Sequence, residues 1–145
     1  MAWEIPVLDM GGQARATLLQ YRVVLCSSGG AGGGPGLKHT TGTAITVRPL
    51  GVAQNAATTA LPSCAVRVYG VTKVAVSTAA VATGQFLRCT SGAVSTASNL
   101  GGTVRNSSVA TQNVIGIALS SAAAAAAGNV RLVSMLITHQ GLSAT

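Results

Sequence analysis

Acidic side chains are almost absent. Glu4 and Asp9 are the only two among 145 residues, and both fall within the first ten positions. Paired-carboxylate hydrolysis would need both of them, projecting from one terminal segment, and hard-cation binding draws on more acids than that. The chain is therefore not expected to be an enzyme, to bind a metal or to carry a cofactor. Aromatic residues are equally scarce: Trp3, Tyr21, Tyr69 and Phe86 make up 3%. A platform that stacks single-stranded nucleic acid needs several aromatics along a basic face, so nucleic acid is not the expected partner. No apolar run approaches the roughly 20 residues of a transmembrane helix, and no membrane partner is expected. The opening Met1–Pro6 lacks a basic stretch followed by an apolar one, so no secretory signal is read. Cys26, Cys64 and Cys89 are an odd number without a Cys-x-x-Cys pair, and reduced, mostly buried thiols are expected.

Bulk is also in short supply. Alanine supplies 25 residues, so the core must be built from Val, Leu, Ile and Ala. A core that thin is expected to gain burial by oligomerising or by docking to a larger body. Charged residues are only 8%, against about 25% in an average soluble domain. The net charge of +7 arises from nine Lys and Arg set singly along the chain. A mildly positive body facing a negative surface fits this pattern better than a phosphate-tracking groove.

Strand-like runs dominate. They are Tyr21–Cys26, Thr43–Val47, Leu50–Ala53, Ala65–Tyr69 with Gly70 as a stop, Val71–Val76, Gln85–Cys89, Val114–Ala118 and Val130–Thr138. Ser27–Gly36 reads as an exposed Gly/Ser loop, Lys38-His39-Thr40 as a solvated turn and Val94–Val109 as a long surface loop. Six alanines, Ala122–Ala127, followed by Gly128 predict a short helix. Asn55–Ala60 reads as a link or a single helical turn. The Gly-rich loop lacks the Gly-Lys-Ser/Thr order of a phosphate loop, and no Gly-x-Ser-x-Gly elbow supports a nucleophile.

An internal repeat is the strongest signal. Leu50-Gly51-Val52-Ala53 matches Ile115-Gly116-Ile117-Ala118, and Val66-Arg67-Val68 matches Val130-Arg131-Leu132. Val24-Leu25-Cys26-Ser27-Ser28-Gly29 resembles Leu87-Arg88-Cys89-Thr90-Ser91-Gly92 in the same order. The expected fold is all-β: a small barrel or β-sandwich of two repeated units, about 21–76 and 85–138, with short Ala-rich helical turns. Residues 1–20 read as an extended N-terminal arm before a single β domain, 21–145. An ordinary first strand of the same sheet is the other reading of those residues. Strand alternation sets Arg67 and Arg131 on the face opposite their Val neighbours, as weak candidates for exposed basic contacts.

These blocks together resemble the head decoration, or capsid cement, proteins of bacteriophages. The resemblance is carried by Ile5-Pro6-Val7-Leu8-Asp9, Leu50–Ala57, Val66–Val74, Gly84-Gln85-Phe86-Leu87, Ile115–Ala118 and Val130-Arg131-Leu132, in that order. It implies an all-β virion protein on the outer surface of an assembled capsid, partnered by the major capsid protein and by itself as a homotrimer. The leader's apolar residues make Trp3, Glu4, Ile5, Pro6, Val7 and Leu8 the candidate contact with capsid or neighbour. Deleting residues 2–10 is then expected to weaken docking and leave the body folded. Two other classes fit the composition: a small basic β-barrel that binds nucleic acid, and a self-assembling structural component such as a tail protein.

Overall fold

The computed structural model describes residues 4–27, 36–39, 49–77, 79–89, 101–107, 114–124, 126 and 129–138. Trp3, the expected strand at Thr43–Val47 and most of the Ser27–Gly36 loop lie outside them.

The described residues form nine strands and no helix: β1 Ile5–Ala14, β2 Val23–Ser27, β3 Gly36–His39, β4 Gly51–Ala53, β5 Ser63–Val76, β6 Phe86–Cys89, β7 Val104–Asn106, β8 Val114–Ala118 and β9 Arg131–Ile137. β-Branched residues are frequent in β2, β5, β8 and β9. In β9, Val133, Met135 and Ile137 are buried while Leu132 is exposed.

Pairing closes two circuits that share β5. The first runs β1-β3-β2-β4-β5 and back to β1, and the second β5-β7-β6-β8-β9 and back to β5. Each has one parallel pairing, β1 with β3 and β5 with β7; the rest are antiparallel. At 14 residues β5 is long enough to serve both. Its Ser63–Val71 portion pairs with β1 and its Gly70–Val76 portion with β9. Val23 and Val52 of the first circuit pack with Val74, Val76, Leu87 and Met135 of the second, so one apolar cluster fuses the two. Ala14, Leu18, Val24, Leu37 and Val66 form a second cluster within the first circuit.

Several details match between the circuits. The bridge of Leu18 with Ala57 has a counterpart in Val81 with Ala122. A Cβ at Gly51 would fall on the carbonyl oxygen of Arg67, and one at Gly116 on that of Leu136. The register sets Ala53 opposite Val66 and Ala118 opposite Met135. Val130-Arg131-Leu132 is therefore not the pairing counterpart of Val66-Arg67-Val68; similar wording there does not follow the register.

Four expectations change. Gly70 does not stop a strand, because β5 runs through it at φ +115° with Ile5 and Val7 close above. Side chains rarely adopt that φ, so glycine is what lets β5 bend under β1. Lys38-His39 is no solvated turn: β3 carries Leu37 at 0% and His39 at 5% exposure. Part of the expected 94–109 loop is strand β7, whose Val104 enters the core. In the alanine run, Ala122 exchanges both backbone hydrogen bonds with Val81, which commits it to a bridge rather than a helix.

Candidate interaction surface

β1 carries the expected contact residues. Ile5, Val7 and Leu8 are 48%, 63% and 51% exposed, and Met10 joins them at 42%. Over Ile5–Gly12 the described pairing of β1 is with β5 alone, and its other edge gains β3 only at Gln13 and Ala14. Pro6 suits such an edge, since it offers no N–H to a ladder. Scattered apolar residues on a surface need no explanation, but a connected set marks an interaction site.

The register connects them. Ile5 lies opposite Val71, Val71 opposite Leu136, Leu136 opposite Ile117, and Ile117 opposite Phe86. Residues directly opposite share a face of the sheet. An apolar row thus crosses five strands, with Ile5 and Phe86 exposed at its ends. Leu8 opposite Tyr69 adds a second exposed pair beside it. Composition could not reveal this row, because its members come from five separate segments.

The electrostatics of β1 are inward. Asp9 lies opposite Arg67. Arg67 Nε donates to Asp9 Oδ1 at 2.8 Å and its Nη2 to Asp9 Oδ2 at 2.9 Å. Glu4 Oε1 stands 3.8 Å from Arg67 Nη1. The forked hydrogen bond and charge of Arg67 hold the Asp9 carboxyl below its ordinary value. Arg67 is only 7% exposed. The expectation of an exposed Arg67 is thereby corrected: the side chains of Asp9 and Glu4 lie against it. Arg131 is exposed at the start of β9, where Val130 and Leu132 are exposed too, so strand alternation is not what sets it outward. Both side-chain carboxylates lie against Arg67, and among the described residues no other Lys or Arg forms an ion pair.

Two of those cations face each other. Arg88 of β6 lies opposite Arg105 of β7, and the Nε of each is buried without a hydrogen-bond partner. Elsewhere Arg22, 4% exposed, adjoins buried His39. His39 Nε2 accepts the Leu19 N–H at 2.9 Å, which requires a neutral ring. Burial first, and Arg22 second, push its pKa down to about 4. The unfolded ring takes a proton near pH 6.5 and the folded one resists until about 4. Stability is therefore full above pH 6.5 and falls as pH drops toward 4, by roughly 2 to 3 kcal/mol. Urea midpoints at pH 7, 5.5 and 4 should trace that fall, and His39→Gln should flatten it. An equal slope in the variant would contradict this assignment. Of the cysteines, Cys64 is buried, Cys89 partly buried and Cys26 exposed.

No protein-family model matches the sequence, and no curated protein matches it. Among solved structures, the crystal structure of the head fiber gp8.5 N base in bacteriophage phi29 matches with a TM-score of 0.62 at 16% identity. The match covers 94% of this chain and 98% of that one. The likeness is one of fold across nearly the whole of both chains.

Proposed function

We propose that the chain is a structural protein of a phage virion that binds the outer surface of the assembled capsid and stabilises it. The observation that carries this reading is the near end-to-end fold match to the base of a phage head fiber. The resemblance of the sequence blocks to head decoration proteins points the same way. The major capsid protein is the proposed partner, and the chain is proposed to act as a homotrimer without catalysis. Docking stabilises the shell because a ligand that binds only the assembled form shifts the equilibrium toward it. The matching pairings of the two circuits favour a body of two repeated units. Arg131 remains a candidate basic contact.

The exposed ends of the row and the β1 edge are the proposed contact, with Glu4, Ile5, Pro6, Val7 and Leu8 at one end. Replacing Ile5, Val7 and Leu8 together by Ser should weaken binding to heads at least about tenfold, since each buried apolar side chain contributes on the order of 1.5–3 kcal/mol. The melting temperature should change little, because all three are exposed. Unchanged binding by the folded variant would place the contact elsewhere. Sedimentation equilibrium tests the trimer: a monomer in solution together with isolated copies on the shell would contradict it.

A further inference from the structure

The Arg88–Arg105 pair is an unusual thing to place on a sheet. Like charges directly opposite each other destabilise a strand pair. Here β6 and β7 meet at only three register positions, and this is the middle one. Leu87 and Val104 point into the core, so Arg88 and Arg105 project from the outer face. Phe86, two residues before Arg88 on the same strand, shares that face and ends the apolar row. Each Nε is buried without a partner, so each guanidinium keeps an unused, desolvated donor. Neither side-chain carboxylate serves them, because Glu4 and Asp9 both lie against Arg67. Burial, then the charge of Arg105, lowers the hold of Arg88 on its proton.

We infer that Arg88 and Arg105 form a seat for a carboxylate supplied by a protein partner, set at the end of the apolar row. An Asp or Glu side chain there would accept charge-assisted hydrogen bonds from both guanidiniums and relieve their repulsion. The apolar row beside the seat selects an acidic residue flanked by aliphatic ones. The single aromatic at the site and the wide spacing of the other cations disfavour a nucleic-acid strand. The inference rests on the proposed role as a capsid-binding protein and names the chemistry of its contact.

Two measurements test it together. The first is titration of the purified protein with poly-L-glutamate, and separately with a DNA oligonucleotide, read on the ¹⁵N Nε–H resonances of the arginines. Saturable shifts of Arg88 and Arg105 with poly-L-glutamate are expected. Shifts with the oligonucleotide alone would overturn the carboxylate assignment in favour of phosphate, and no shift with either would overturn the seat altogether. The second is pelleting of the double variant Arg88→Gln, Arg105→Gln with mature heads. Binding at least about tenfold weaker than wild type is expected, with a melting temperature equal or higher. Equal pelleting of a folded double variant would overturn the inference and leave the capsid role standing. Failure of the wild type to pellet would strike the capsid role, while the titration still decides the seat. Should the double variant not fold, the wild-type titration decides.

Discussion

Gly51→Ala and Gly116→Ala are each expected to cost at least about 3 kcal/mol, enough to unfold much of a domain whose total stability is of the usual order. The reason is rigid backbone. The added methyl would meet the carbonyl oxygen of Arg67 in one case and of Leu136 in the other, with Val66 and Met135 crowding the same point. A flexible side chain could step aside; a carbonyl within a paired strand cannot without breaking its ladder. Gly11→Ala is the control, since nothing lies within 4 Å of its Cβ position. Thermal melts of the three variants check the expectation. Wild-type stability in Gly51→Ala or Gly116→Ala would mean that β4 or β8 does not lie as described.

Asp9→Ala is expected to cost roughly 2 to 4 kcal/mol. The substitution removes both Asp9 hydrogen bonds from a buried guanidinium and leaves it only the Glu4 oxygen at 3.8 Å as a counterion, and removing one partner of a buried pair is more costly than the pair itself is worth. Water reaching the 36% exposed Asp9 side chain keeps the figure below that of a fully enclosed pair. Replacing both partners, Asp9→Leu with Arg67→Met, should recover most of the loss, because no uncompensated charge remains. Chemical denaturation of the single and double variants gives the comparison. A double variant as unstable as Asp9→Ala would show that the cost lies in packing and not in the stranded charge. The same pair bears on the leader. Asp9 of β1 and Glu4 just before it supply both carboxylates to Arg67, so removing residues 2–10 exposes a buried cation along with the flank of β5. The expectation that such a deletion leaves the body intact gives way, and point substitutions at Ile5, Val7 and Leu8 are the sounder probe.

The all-β class was legible because β-branched runs alternate with small-residue breaks. β8 falls where its residues predicted it, and β4 and β9 within a residue or so. The exposed apolar β1 residues were legible too, as aliphatic positions in a segment broken by Pro6 and Gly11-Gly12. Other features depend on chain-distant partners. Lys38-His39 looks like a turn until Leu37 meets the core and His39 takes the Leu19 amide. The alanine run has strong helix propensity, yet Ala122 is held by Val81, some forty positions earlier. Arg67 carries no local sign that Asp9 will lie opposite it. The apolar row and the Arg88–Arg105 seat are likewise products of register, which no single segment encodes.

Co-sedimentation with purified mature heads that lack this protein, with procapsids as the comparison, tests the capsid role most directly. An outer-surface binding protein predicts saturable pelleting with mature heads and none with procapsids. No pelleting with either would contradict that role and leave the fold without its proposed partner.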